Sequence, residues 1–485
     1  MRGPGSKRHS GNPVTSPRDP LDDWLARDVT PLGPPPGTLD RIRQRARRRK
    51  TRQATFAAAG CAVVLAAAIA TPQLLSRGHP QDHSPPPVAA SPNQPTVGPA
   101  GSNTPVPAGS AVQEDQRTRL SATATGTVPP PNFEPTSVTF VGNGTGGVVG
   151  AVIGQAGTPG HCATRYCTSL AGTSTYGNSW YGVSAPLAAA PDGSTGVSQL
   201  RFANLSDGWA YGPALYETSD GGWPWHQENT GGQRVLDIEA APAHAVNGVM
   251  QPARAFAVFG TCTGSGTDYA AACTSFSLRT SVAGSRTWQA VDVPAADQEM
   301  LSLTSAAPQL VISGGTTAYL LTPSGAVLSG PTSGGSWQLA GQAPCAPGAA
   351  SGTSGAELAA GQTLVLSCVS QLLSGSHQVT VYTSAAGAVW TQTGTLTTAS
   401  APRALAATNS GQAVLATTGG LQYSADSGKS WHAATYSGKR PPGGFSYVGL
   451  TTATDGIAVP ADAALGEVWV TSDGGKTWQP SVISG

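Results

Sequence analysis

The residues of this chain best placed to do chemistry recur in one short order: a hydroxyl, a carboxylate, a glycine and a tryptophan. The fullest copy is Thr471-Ser-Asp473-Gly-Gly475-Lys-Thr-Trp478. Thr218, Asp220, Gly222 and Trp225 keep its register, as do Ser424, Asp426, Gly428 and Trp431. The shared pattern is [ST]-x-D-x-G-x-x-W, and its chemistry is that of a turn. The Asp accepts hydrogen bonds from backbone N–H groups that a tight turn leaves unpaired. Gly supplies a backbone conformation that a side chain would oppose. The hydroxyl adds a local bond and the Trp packs its large apolar surface between neighbouring sheets. These residues therefore read as fold residues, with no catalytic residue among them.

Other reactive constellations are not found. The eight His stand singly, without HxH or HExxH spacing, and there is no GxSxG elbow or phosphate-cradling loop. Glycine runs such as 142–147 sit between strands and read as turns. No metal or cofactor ligand set is expected. Seven Cys are present; Cys61 lies in an apolar run, and six others fall into close pairs, Cys162/Cys167, Cys262/Cys273 and Cys345/Cys368. Six cysteines allow fifteen connectivities, of which proximity favours these three pairs, and paired cysteines point to an oxidising compartment.

The elements that must position the boxes come from a repeat. Weaker copies end at Trp180, Trp288, Trp337 and Trp390. They bring the closing tryptophans to seven, spaced 45, 63, 49, 53, 41 and 47 residues apart along 180, 225, 288, 337, 390, 431 and 478. A period of about 40–60 residues suits a four-stranded propeller blade. Stretches at 137–141, 255–259, 363–366 and 379–382 alternate or cluster β-forming residues between Gly-rich turns. The expectation is an all-β chain whose residues 137–485 form a seven-bladed β-propeller. The segment 118–128 is a candidate extra strand, able to close the ring by joining the last blade.

The [ST]-x-D-x-G-x-x-W pattern resembles the Asp-box, or BNR, repeat of sialidases, sortilin-type receptors and photosystem II assembly-factor-like propellers. The resemblance covers residues 137–485. It implies boxes at the blade periphery, away from the ligand face. It also raises a glycoside hydrolase of sialidase type as an alternative function. Sialidases carry Arg-Ile-Pro before the first blade, where this chain has Pro-Asn-Phe-Glu134-Pro. Beyond residue 137 the eight Arg and six Glu are scattered singly. That distribution does not suit the carboxylate pair and arginine cluster such chemistry requires.

The rest of the chain speaks of a membrane. Residues 54–75 carry no charge over 22 positions, about the length of a spanning helix. Residues 1–53 hold 13 Lys/Arg against 5 Asp, whereas residues 76–485 hold 14 Lys/Arg against 21 Asp/Glu. The arginine run at 41–50 places the N-terminus in the cytoplasm. A cleaved signal is the rival, through Ala68-Ile-Ala70, but a 53-residue n-region is too long for one. Residues 76–130, rich in Pro, Ser and Thr, read as an extracytoplasmic stalk. The excess of Arg over Lys and the abundant Ala suggest an actinobacterial source.

The expected function is a single-pass, membrane-anchored propeller on the extracellular side, binding an envelope protein or glycan without enzymatic activity. Trp209, Tyr211 and Trp223 are candidate contacts, the first two with an alternative reading as buried strand residues. A second expectation is signalling, in which residues 19–52 contact a cytoplasmic transcription regulator. Nucleic-acid binding is not expected, because no folded basic domain accompanies the arginine run.

Overall fold

The computed structural model describes residues 118–121, 127–142, 148–156, 167–188, 196–262, 273–294, 308–347, 354–361 and 363–483. The basic tail, the apolar run at 54–75, and Cys61 and Cys162 lie outside the described residues. Among the described residues no helix is long and apolar enough to cross a membrane.

The described chain is all β and forms seven blades. Each is an antiparallel sheet of four strands laid down in sequence order from the axis outward. The innermost strands are Glu134–Gly142, Gln199–Phe202, Arg234–Ala241, Gln309–Ser313, Ser354–Ala360, Pro402–Ala407 and Phe445–Leu450. Because strands alternate in direction, the first-to-second and third-to-fourth turns lie at one end. The second-to-third turns and the blade-to-blade connections lie at the other.

The tryptophan register explains the count. Seven apolar clusters join the blades pairwise around the ring, and each holds one closing tryptophan: Trp180 between blades 7 and 1, Trp225 between 1 and 2, and onward to Trp478 between 6 and 7. A sheet with two apolar faces must bury both, and a closed ring gives every blade two neighbours.

Among the described residues, closure uses no exchanged strand. Blades 1 and 7 are each built from consecutive strands. Their seam is an apolar cluster containing Val138, Val152, Ile457 and Val468. It is fastened by Trp180 Nε1 donating to Ser481 Oγ at 2.8 Å and by Ser481 Oγ donating to the Gly177 carbonyl. The described residues of the segment 118–128 do not join blade 7. They run along the outer strand of blade 1, where Thr118 O accepts from Ser184 N at 2.9 Å and Thr127 O from Gly182 N at 3.0 Å. Leu120, 4% exposed, plugs this strap into the core between blades 1 and 2. The corresponding edge of blade 7 is covered by Thr435–Tyr436, which pairs parallel to its outermost strand.

The long interval before Trp288 contains two insertions. One is the hairpin His244–Val246 and Val249–Gln251, between the first two strands of blade 3. The other follows Cys262, which is bonded to Cys273 across a second-to-third turn. Cys345, on the connection into blade 5, is bonded to Cys368. Both pairs match the expectation from proximity.

The expected pair Cys162/Cys167 falls on residues whose side chains lie outside the described structure. The Cys167 backbone opens the third strand of blade 1, Cys167–Thr173, in register with Ala156. The expected partner of Cys167 is Cys162, which lies outside the described residues.

Candidate functional site

The box residues do hold turns. In blade 7, Thr471 Oγ1 accepts from Gly475 N at 3.1 Å and donates to Asp473 Oδ1 at 2.9 Å. Asp473 then accepts from Lys476 N at 3.0 Å, Thr477 N at 2.9 Å and Thr477 Oγ1 at 2.6 Å. Blade 6 repeats this through Ser424, Gly428 N, Asp426 and Ser430. The Ser430 hydrogen bonds hold the Asp426 carboxyl down at about 2. Trp431 and Trp478 close the turns by donating to Gly428 O and Gly475 O at 3.0 and 2.8 Å. Both glycines stand at positive φ, +82° and +90°.

Blade 2 departs from this scheme. Thr218 Oγ1 still accepts from Gly222 N at 3.0 Å. The two residues that would donate to Asp220 are Trp223 and Pro224, and proline has neither an N–H nor a hydroxyl. Asp220 turns outward to Arg119 on the strap, at 2.7 Å. Trp225 donates to Ser184 O of blade 1 at 2.9 Å. In blade 3, which lacks the box Asp, the buried Glu217 of blade 2 reaches across to accept from Gly284 N at 2.8 Å. In blade 1, Thr175 stands at the Asp position and accepts from Ser179 N at 2.9 Å. In blade 5 the hydroxyl on Gly387 N comes from Ser384, and not from Thr383 one residue earlier.

The chemistry the boxes do not use gathers at the axis. A cavity of 440 Å³ is lined by the inner strands of blades 2 to 7, and it brings together Arg201, Asp237, Glu239, Glu357, Arg403 and Tyr447. Apart from Asp237 and Glu239, which share a strand, these residues are tens of positions apart in sequence and look unrelated there. Asp237, Glu357 and Tyr447 share a positional signal, because one residue of each inner strand immediately precedes a buried aliphatic. Those residues are Ser137, Gln199, Asp237, Gln309, Glu357, Ala404 and Tyr447, standing before Val138, Leu200, Ile238, Leu310, Leu358, Leu405 and Val448.

An inner strand leaves N–H groups unpaired on its axial edge, and three members of this ring supply acceptors for them. Ser137 Oγ accepts from Leu200 N at 3.2 Å, Asp237 Oδ2 from Leu310 N at 2.8 Å, and Gln309 Oε1 from Leu358 N at 2.9 Å. One layer on, Thr139 Oγ1 accepts from Phe202 N at 3.3 Å. In that layer Arg201 donates through Nε to Ile238 O at 3.0 Å and pairs with Glu239 at 3.0 Å.

Burial dominates the titration of this cavity. Although burial works against its charge, the carboxylates around Arg201, Glu239 foremost, hold it well above its ordinary value. Burial pushes Glu239 up to about 7 despite the nearby guanidinium, and raises Asp237 as well. Glu357 is pushed up to about 8 by burial and by the charge of Asp237. Among the described residues no three His, Cys, Asp or Glu side chains are grouped as metal ligands.

No family model matches the chain, and no curated protein matches it. Solved structures do show likenesses. YCF48 bound to a peptide shares 17% identity at a TM-score of 0.35, covering 58% of this chain and 80% of that one. An ancestral GH74 enzyme shares 14% at 0.40, covering 74% of this chain and 48% of that one. Aleuria aurantia lectin in complex with alpha-methyl-L-fucoside shares 12% at 0.33, covering 64% and 96%. At such values none of them bears on ligand or activity.

Of the contacts expected from sequence, Trp209 and Tyr211 are buried between blades 2 and 3, at 0% and 3% exposure. They are core. Trp223 is exposed, at 41%.

Proposed function

We propose that this chain is a membrane-anchored, extracytoplasmic propeller that binds a protein or glycan of the cell envelope. The carrying observation is the division of labour between its two ends. One end holds the box turns, whose polar groups are spent on the fold. The other gathers the blade-to-blade connections and both described disulfides, at the mouth where the inner strands enter. Arg403 and Ser446, each the second residue of its inner strand, stand at that mouth. Loops on a rigid scaffold are where binding residues concentrate, and the disulfides suit an oxidising compartment. In this reading residues 54–75 anchor the chain with its N-terminus inside.

The test is crosslinking of the tagged full-length protein in its native membrane, with the crosslinked sites identified by mass spectrometry. Crosslinks from the propeller to envelope proteins or wall polymer are expected. Crosslinks confined to residues 1–53 would transfer the function to the cytoplasmic tail. A propeller shielded from added protease in intact cells, yet cut after lysis, would overturn the topology.

A hydrolase remains the second reading, because two arginines and three carboxyls do share one cavity. In that reading Arg201 and Asp237 serve substrate, whereas here both are tied into bonds between blades. Release of fluorophore from umbelliferyl glycosides, lost in Glu357→Gln, would favour it.

A further inference from the structure

Charge is spread unevenly around the ring. From Met300 to Pro402 the only Lys, Arg, Asp or Glu is Glu357, whereas 11% of the whole chain is charged. That stretch supplies all of blades 4 and 5, and Glu357 lies on an inner strand and lines the axial cavity. The outward surface of these two blades therefore carries no formal charge of its own. Charges return at both flanks, with Arg254 of blade 3 against Gly334 and the Lys429 backbone of blade 6 against Gly394. A soluble surface ordinarily mixes charges of both signs, and their depletion marks the centre of a protein interface.

The backbone edges single out the same sector. The outer strand of a blade presents unpaired N–H and C=O groups, a template for another strand. Blades 2, 3 and 6 limit that edge to two residues each, while the strap and Thr435–Tyr436 cover blades 1 and 7. The outer strands of blades 4 and 5, Gln338–Gln342 and Thr391–Thr398, are longer. Each pairs with the strand inside it and makes no other backbone hydrogen bond among the described residues. The strand of blade 5 is the longest, at eight residues, five of them Thr, and has neither a Pro nor a charge to blunt it. After a bulge at Thr393, residues 394–398 run in unbroken register with 381–377. Thr395 and Thr397 are exposed along it.

The two ends of this strand favour one occupant. Val389, in the turn before it, is exposed, as are Leu372 and Leu373 in the turn beside its far end. An antiparallel strand related by a two-fold axis sets the start of one copy against the end of the other. Val389 of each copy then comes to the same end of the paired sheets as the Leu372–Leu373 turn of its neighbour. Across the axis no charge faces its like. Such a contact closes on itself, because each copy uses its one long open edge.

We propose that Thr391–Thr398 pairs antiparallel with the same strand of a second copy, so that one sheet runs through blade 5 of both propellers. The pairing leaves the axial cavity and its mouth free and is independent of what they bind.

Sedimentation of the full-length chain in density-matched detergent tests it. The wild type is expected to hold two chains per particle at micromolar concentration. Thr395→Lys with Thr397→Lys sets like charges across the two-fold and weakens association at least about tenfold, and Thr395→Asp with Thr397→Asp does the same. Mixing the Lys and Asp variants restores a dimer of one copy of each, which requires the same strand on both sides. Both variants replace exposed side chains and keep the wild-type circular dichroism. If either unfolds the chain, bis-maleimide crosslinking of Thr395→Cys in native membranes takes its place, with covalent dimer above the wild-type background expected. One chain per particle in the wild type, or no added crosslink, overturns the proposal. A dimer that the lysines leave as tight is held by another surface and overturns it too, as does a mixture of folded variants that stays monomeric. Crosslinks from Thr395→Cys only to a different protein overturn the second copy as occupant.

Discussion

In blades 6 and 7 the carboxylate that steadies the closing turn belongs to the turn. In blade 3 it comes from Glu217 of blade 2, and in blade 2 the box Asp has left its turn to hold the strap through Arg119. The contrast separates two things a repeat needs. A turn needs its N–H groups satisfied, but the acceptor can come from any chain within reach. The interface needs a large apolar plug, and that is present at all seven joints. Degeneracy is tolerated in the first and not in the second, because neighbouring blades share the load.

Truncating a plug should therefore have the largest effect. Trp478→Ala, at a site 1% exposed, is expected to lower stability by about 3–5 kcal/mol in urea unfolding, while Trp223→Ala stays within about 0.5. Comparable losses would show the exposed tryptophan to be part of the frame. Next comes the carboxylate supplied across a joint. Glu217 is 2% exposed, and Glu217→Ala leaves Gly284 N without its acceptor, a loss of about 1–3 kcal/mol. Asp473→Ala should cost about 1 kcal/mol, as removal of a helix cap does. Asp220→Ala should cost less than Asp473→Ala, and its effect should fade with added salt, because Arg119 and Asp220 are about half exposed. An Asp220 effect that is as large and insensitive to salt would erase the distinction.

The two kinds of carboxyl also differ in sign with pH. Burial, with help from Glu217, pushes Glu228 up to about 7, and Glu239 and Glu357 lie in the same region at about 7 and 8. A carboxyl raised in the fold binds its proton more tightly there than when unfolded. Stability should thus increase as pH falls from about 8 toward 5. Asp426, held at about 2, acts the other way and withdraws stability as pH falls from about 4 toward 2. Melting temperatures across this range should peak in mildly acid buffer, and Glu228→Gln should flatten the limb near neutrality. A maximum near pH 8 would contradict the burial of these acids.

The blade number was legible because tryptophan is rare and its spacing survives when the Asp does not, as at Thr175 and Ala385. The described disulfides were legible from proximity; the same argument at Cys167 leads to Cys162, outside the described residues. The axial ring was not legible, since its members are single residues about a blade apart whose common feature is the buried aliphatic that follows. Glu217 was invisible for a related reason: it lies in one repeat and serves the next. The segment 118–128 showed strand character but not its destination, because pairing on blade 1 or blade 7 uses the same alternation. The 63-residue interval showed one close cysteine pair in sequence, Cys262/Cys273, but gave no sign of the hairpin at 244–251.

The seam between blades 1 and 7 has a consequence for the order of events during synthesis. Each blade is made of consecutive strands, so most of its pairing can form as soon as it emerges. The bonds of Ser481 to Gly177 and Trp180 span more than 300 residues. Blade 1 thus waits with one face uncovered until the last strand exists, and ring closure becomes the latest and most aggregation-exposed step of folding. The strap over its outer edge already shields that first blade from pairing with another chain during the wait.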